Sequence, residues 1–349
     1  MKKNRILIVG GVAGGASCAT RARRLCEQCE IVLFDKGPYV SFANCGLPYL
    51  VGDVIGSEEH LLVATPQSFK ERFNIAVRTD TEVTRIDRAG KTIEVRDIKS
   101  GEVRQEAYEK LVLATGAIPI RPPLEGIDLA GIHVLRTIPV SRKIRTATAE
   151  ASKALIVGGG FIGLEMAENL ARIGLSVSLI ELADQVLPPL DPEMAAWVEQ
   201  RLRANRIDLH LGEGVAAFRR RGSAIVAHTD RGNEIRTDIV ILGIGVKPES
   251  TLARQAGLTL GKRGGIRVDE FMRTSDPHIW AVGDVVEVKN RITGHWQVTP
   301  LAGPANRQGR IAATAIIRGA GDHNPLRFHG VLGTAVCGVF GLTVATTGA

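Results

Sequence analysis

Short apolar runs alternate along the chain with amphipathic stretches, and glycine-rich turns join them. Arg5–Val9 is one such run, followed by glycines, a stretch of helical periodicity through about Leu25, and the apolar segment Ile31–Phe34 ending on Asp35. The same order returns at Ala154–Val157, with glycines, a helix through about Ile173, and Val177–Ile180 ending on Glu181. From the last loop glycine to the acid is 20 residues in the first copy (15 to 35) and 18 in the second (163 to 181). Strand–helix–strand alternation predicts an α/β chain with parallel sheets and right-handed crossovers.

Between the copies, Ile118–Leu124 carries three prolines and reads as a linker, because proline cannot join a central strand. Glu234–Gly245 and Ile279–Asp284 read as further apolar strands. Phe328–Ala349 alternates apolar residues with glycines, and reads as the opening strands of another unit because so short a piece cannot bury a core alone.

Composition narrows the picture. A chain of 349 residues has room for two to three domains. With 44% hydrophobic and 23% charged residues it is ordinary for a globular protein. The net charge of +7 would suit nucleic acid, but aromatic residues make up only 4% and no nucleic-acid motif is present. The excess charge is better read as attraction for small phosphate-bearing molecules. Met1–Arg5 followed by Ile6–Val9 resembles a signal peptide only superficially, since the apolar run is short and meets glycines at once. No run approaches the roughly 20 apolar residues that cross a bilayer, so a cytoplasmic protein with no membrane partner is expected.

Gly158-Gly159-Gly160-Phe161-Ile162-Gly163 fits the dinucleotide fingerprint in full. The first glycine makes a tight turn, the second admits a pyrophosphate, and the third lets helix and strand pack. Glu181 can accept hydrogen bonds from both ribose hydroxyls and repels a 2′-phosphate, and no arginine follows it in Leu182-Ala183-Asp184. NADH is therefore expected over NADPH. Gly10-Gly11-Val12-Ala13-Gly14-Gly15 is a looser copy with Val12 in the middle position, and Asp35 completes it. Two Rossmann-like folds imply two cofactors, and a flavin beside a nicotinamide is the economical pair. Leu111–Gly116, Ile241–Gly245 and Thr274–Asp284 are apolar strands ending in small or acidic residues, as close approach to a cofactor requires.

Five cysteines, at 18, 26, 29, 45 and 337, do not form an even secreted framework. Cys45, in Ser41-Phe42-Ala43-Asn44-Cys45-Gly46-Leu47-Pro48-Tyr49, stands soon after the first loop, where Gly46 and Pro48 suit a helix start that would lower a thiol pKa. Cys26-Glu27-Gln28-Cys29 reads as an incidental pair, and Cys18 and Cys337 as packing. No histidine–cysteine spacing suggests a metal site.

These motifs, with Pro300–Arg310, resemble the single-cysteine branch of the flavin-dependent pyridine nucleotide–disulfide oxidoreductases: coenzyme A-disulfide reductases, NADH-dependent persulfide reductases and NADH oxidases. The resemblance runs along essentially the whole chain. It implies an FAD domain at 1–117 and 272–325, an inserted NAD(P)H domain at 118–271, and the start of an interface domain at 326–349 that builds a homodimer. FAD would be held by Gly10, Gly11, Gly14, Gly15, Asp35, Lys36, Val83, Thr115, Gly116, Gly283 and Asp284, with Leu301 and Ala302 beneath its ring. The nicotinamide cofactor would be held by Gly158, Gly160, Ile162, Gly163, Glu181 and Gly245, with Phe161 shielding the flavin. Ser17, Arg21, Arg24, Ser41, Asn44 and Asn306 would line a coenzyme A channel. A lysine some relatives use there is replaced by Phe73, with Lys70 or Arg72 as substitutes.

Electrons would pass from NADH through FAD to Cys45, oriented with its substrate by Asn44 and Ser41. Cys45 would rest as a mixed disulfide with coenzyme A, or under another reversible sulfur cap, and reduce a disulfide, persulfide or polysulfide. The rivals are an NADH oxidase or peroxidase working through a Cys45 sulfenic acid, a redox-sensing flavoprotein without turnover, and a flavin reductase serving an iron–sulfur protein.

Overall fold

The structure, a computed structural model, describes residues 5–319 and 326–348. The basic start at 1–4, the expected boundary at 325/326 and Ala349 lie outside these residues.

Two five-stranded parallel sheets carry the two copies of the repeat. In the first, Ile279–Ala281, Lys110–Leu113, Arg5–Val9, Glu30–Phe34 and Ala76–Arg78 lie side by side in that order. In the second the order is Asp208–Leu211, Ser176–Glu181, Lys153–Val157, Ile239–Leu242 and Ile132–Val134. Both central strands are buried on both faces, which is why they read as unbroken apolar runs rather than as alternation. One core cluster gathers around the first sheet, and a second gathers on the other sheet around helix Phe161–Arg172.

The duplication extends to single hydrogen bonds. Gly10 N donates to Phe34 O and Gly158 N to Ile180 O, each at 2.8 Å; Ala114 N donates to Val9 O and Gly243 N to Val157 O, each at 2.7 Å. Each sheet is flanked by an antiparallel three-stranded layer, Thr81–Asp87 with Thr92–Asp97 and Val103–Ala107, or Val215–Arg221 with Ala224–Thr229 and Glu234–Thr237.

Two expectations need correction. The stretch Glu234–Gly245 is two strands, because Asp238 turns the chain between them and its carboxylate accepts the Ser152 and Lys153 amides at 2.9 Å. The proline-rich linker contains a strand, Ala117–Pro119, paired only with Val246–Pro248; a two-stranded ribbon tolerates prolines that a central strand would not. The C-terminal stretch forms a hairpin, Ala335–Val339 with Leu342–Thr346, turning at Phe340 and Gly341, both with positive φ. Its Cys337 and Val339 are buried in the core around helix Phe161–Arg172.

Helices Ala13–Leu25 and Ala302–Arg318 cross at glycine. A Cβ on Gly309 would lie 2.3 Å from the Gly14 carbonyl oxygen and 3.0 Å from the Cys18 amide nitrogen, both backbone atoms that cannot step aside. Gly309→Ala is therefore expected to destabilise by about 1–3 kcal/mol and to lower Tm by several degrees. Gly56→Ala, with nothing within 4 Å of the added carbon, should leave Tm nearly unchanged; equal melting of the two variants would contradict the crossing.

Candidate active site

A single continuous cleft of about 2260 Å³ runs between the two sheets. Ligand pockets usually span roughly 300–1,000 Å³, so this one has room for more than one dinucleotide-sized occupant. The glycine loops form two parts of its wall. Gly10 and Gly158 have φ of +101° and +109°, conformations that side chains resist. A Cβ on Gly15 or on Gly163 would meet the Gly10 or Gly158 carbonyl oxygen at 1.9 Å. These third glycines close their loops from behind, and they are not among the residues that line the cleft.

The acid after each second strand locks its loop. Asp35 accepts the Gly11 and Gly37 amides, both at 2.8 Å. Glu181 accepts the Gly159 amide at 2.6 Å and the Ala183 amide at 2.8 Å. Burial pushes the Asp35 carboxyl up, against the pull of the Gly37 and Gly11 amides. Both helices that follow the loops begin without a side-chain cap, at Val12 and Gly160, leaving first-turn amides free for a phosphate. Around Gly160 nothing lies within 4 Å of a built Cβ, which is the open approach a pyrophosphate needs.

The cleft wall brings together Gly10, Gly11, Gly14, Ser17, Asp35, Lys36, Ser41, Asn44, Cys45, Val83, Thr115 and Gly116. It continues through Gly158, Gly160, Phe161, Ile162, Glu181, Gly245, Gly283, Asp284, Leu301, Ala302 and Asn306. Thr115 Oγ1 donates to Glu249 O at 2.6 Å, Gly283 N to Gln308 Oε1 at 2.7 Å, and Ser17 Oγ to Asn306 Oδ1 at 2.8 Å. Arg21 and Arg24 are not on the wall. Arg21 reaches Thr314 Oγ1 at 3.4 Å, and the Arg24 guanidinium stands 5.9 Å from the centre of the Phe73 ring. Of the suggested substitutes, Arg72 lines the cleft with Phe73, whereas Lys70 turns to Asn74 at 3.3 Å.

Cys45 lies in the short turn Asn44–Gly46 that leads into helix Leu47–Val51. Among the described free cysteines it alone is exposed, facing the cleft, while Cys18 and Cys337 are buried. Cys26 and Cys29, expected to be incidental, form a disulfide across the turn after helix Ala13–Leu25. Asn44 Oδ1 is buried without a hydrogen-bond partner.

The expected lowering of the Cys45 pKa is also corrected. Although the thiol faces open cleft, the depth of the cleft dehydrates it; burial, then the charges of Glu165 and Asp284, push it up. A five-residue helix offers too little dipole to reverse that. Glu165, which sequence reasoning passed over, lines the cleft, and burial together with neighbouring Glu168 pushes its carboxyl up to about 7. Arg136 is a second omission. It lines the cleft beside Gly116, donates to Ala117 O at 2.9 Å, and pulls the buried Asp284 and Asp35 carboxyls down against their burial. Glu165 falls within the fingerprint helix and was findable there; Arg136 has no motif. Among the described residues no cluster of metal ligands occurs, and no helix is long and apolar enough to cross a membrane.

Comparison with known proteins accounts for this geometry. The family model described as pyridine nucleotide-disulphide oxidoreductase matches residues 4–309. An NADH oxidase of Methanocaldococcus jannaschii is 37% identical over 99% of the chain and 76% of its own length. A coenzyme A disulfide reductase of Staphylococcus haemolyticus is 34% identical over the same shares. The crystal structure of reduced Bacillus anthracis CoADR-RHD superposes with a TM-score of 0.95 at 45% identity, covering 99% of this chain. This chain spans 62% of the length of that structure. The chain belongs to the pyridine nucleotide-disulphide oxidoreductase family.

Because its folded pKa of about 7 lies above the ordinary glutamate value of 4.5, Glu165 keeps its proton in the native state where the unfolded chain has lost it. Its contribution is therefore full at low pH and is lost as pH rises from 4.5 toward 7. Glu165→Gln should raise Tm relative to the parent more at pH 8 than at pH 5, without added nicotinamide cofactor. It should also move Cys45 alkylation by iodoacetamide to lower pH; unchanged profiles would show that Glu165 does not act on the thiol.

Proposed function

We propose that this chain carries the catalytic cleft of an FAD-dependent NADH oxidoreductase that reduces a disulfide or persulfide on coenzyme A through Cys45. The observation that carries the reading is a lone open thiol in the cleft that both glycine loops line. The family and the names of the relatives support the class of acceptor. The FAD-binding part comprises 1–117 and 272–325, the NAD(P)H-binding part 118–271, and the hairpin within 326–349 begins an interface unit of a homodimer.

The residues present fit a flavin dinucleotide. Gly10, Gly11 and Gly14 give the backbone approach and Asp35 takes the ribose. Val83, Thr115, Gly116, Gly283 and Asp284 flank the rest, and Leu301 and Ala302 lie at the start of helix Ala302–Arg318. Bound there, FAD supplies the two-electron relay between nicotinamide and sulfur. Gly158, Gly160, Ile162 and Gly245 seat the nicotinamide cofactor, with Glu181 on its ribose and Phe161 as a ring that must swing aside.

Cys45 as thiolate attacks the outer sulfur bond of RS–SR′, forming Cys45–S–SR and releasing R′S⁻, which takes up a proton. With one NADH and one proton consumed, the mixed disulfide returns to Cys45 thiol and RSH. Glu165, half protonated near neutrality, supplies and recovers the proton. Burial keeps the Cys45 thiolate scarce until that proton transfer occurs. Asn44 offers its unpartnered oxygen to the substrate, while Ser17, Ser41, Asn306 and Arg72 face its pantetheine and phosphate groups. The oxidase alternative uses the same thiol as a sulfenic acid and is favoured by the name of the M. jannaschii relative.

Cys45→Ser should abolish coenzyme A disulfide turnover while leaving FAD content and NADH-to-dye transfer intact. Disulfide turnover persisting at the parent rate would refute the assignment, and oxygen outpacing the disulfide in the parent would favour the oxidase. Glu181→Arg should move preference toward NADPH; an unaltered ratio of kcat/KM values for the two cofactors would count against its place on the ribose.

A further inference from the structure

We propose that Glu213 is a second determinant of nicotinamide cofactor choice, standing beside Glu181 to exclude a 2′-phosphate. The inference deepens the preceding reading of the cofactor site and is independent of which sulfur compound is reduced.

The backbone itself brings the two acids together. Strands Ser176–Glu181 and Asp208–Leu211 run parallel with Glu181 opposite Leu211, so the segments that leave them stay side by side. Gly212 N donates to Ala183 O at 2.9 Å and Glu213 N to Glu181 O at 3.1 Å. Glu181, Leu182, Glu213, Gly214 and Asp230 all line this end of the cleft, beyond the Gly158–Gly163 loop.

Glu213 is held as an anion. It is 4% exposed, a setting in which an unpaired carboxylate would normally take up a proton. The Thr229 hydroxyl and the Asn233 amide, the latter at 2.8 Å, instead bring its pKa below the usual carboxylate range. Asp230 adds a third charge, its Oδ1 accepting the Gly214 amide at 3.0 Å.

The nearby cations do not face the occupant. His210 Nδ1 lies 3.6 Å from Glu213 Oε2 and its Nε2 lies 2.9 Å from Asp208. The Arg231 guanidinium sits over Gly212, as does the carboxylate of Asp184. Neither His210 nor Arg231 lines the cleft. The face shown to the adenosine ribose is therefore negative. A neutral 2′-hydroxyl suits it, whereas a 2′-phosphate carries like charge into a partly dehydrated space where repulsion is poorly screened.

A merely structural Glu213 would pin the 229–233 turn through Thr229 and Asn233 and hold His210 in place. Glu213→Gln separates the two roles, since it keeps an oxygen for Asn233 and the side-chain size while removing the charge. Flavin reduction by NADH and by NADPH is followed anaerobically in the FAD-loaded protein, with an artificial dye as acceptor. No sulfur substrate enters, so loss of the sulfur reading and loss of this one are distinguishable.

The expected result is a fall of about tenfold in KM for NADPH and in the calorimetric Kd for NADP⁺, with the values for NADH and NAD⁺ within about twofold, and a larger fall when combined with Glu181→Gln. Glu213→Asp, which keeps the charge, should retain the parent preference. Asp230→Asn, at an exposed position, should shift the ratio the same way but less, and carries the test if Glu213→Gln fails to load FAD. An NADPH/NADH ratio unchanged in Glu213→Gln with or without Glu181→Gln, or both cofactors weakened equally, would overturn the proposal. So would an unchanged ratio in Asp230→Asn where that variant alone folds.

Discussion

Two loops depend on one constraint, a backbone carbonyl packed so tightly against a helix that only glycine fits between. Gly15 meets the Gly10 carbonyl and Gly163 meets the Gly158 carbonyl at the same built distance of 1.9 Å. That contact sets where each helix starts, and each starts without a side-chain cap, as a phosphate-binding helix end requires. The acids Asp35 and Glu181 then hold the loops by their amides. Because the same device occurs twice, facing one cleft, two dinucleotides can approach each other inside a single chain.

The thiol at the middle of that cleft is tuned by its surroundings rather than by its own helix. Burial and the carboxylates of Glu165 and Asp284 hold Cys45 toward the protonated form. Once uncapped, a protonated thiol is a poor nucleophile and also a poor target for adventitious oxidation. Glu165, its carboxyl pushed up to about 7 by burial and Glu168, stands in the same wall. Arg136, reaching Asp35 and Asp284 electrostatically, offsets the acids on the flavin side. At the end of the cleft lined by Glu181, Glu213 and Asp230, no cation among the described residues reaches the wall.

Much of this was legible in the sequence because it rests on local backbone geometry. Gly10, Gly158 and the acids at 35 and 181 announce themselves through spacing alone, since a fixed turn and a fixed helix separate them. Cys45 was legible for the same reason, sitting at a set distance past the first loop. What was not legible depends on residues brought close by the fold. The rise in the Cys45 pKa comes first from burial in the folded cleft and then from Glu165, 120 residues away in sequence (45 to 165). The placement of Arg21 and Arg24 off the cleft follows from how helix Ala13–Leu25 is rotated against Ala302–Arg318, which no local pattern reports. The turn at Asp238 hid inside an apolar stretch, and the Cys26–Cys29 pairing looked incidental because its spacing fits both states.

The central claim is that Cys45 accepts and returns an electron pair on a sulfur bond. Anaerobic titration of the resting FAD-loaded protein with NADH, with released thiol counted, tests it most directly. A capped Cys45 predicts that one NADH per chain is consumed, and one low-molecular-weight thiol appears, before the flavin absorbance bleaches. Immediate bleaching with no thiol released, together with an unmodified Cys45 peptide by mass spectrometry, would contradict it.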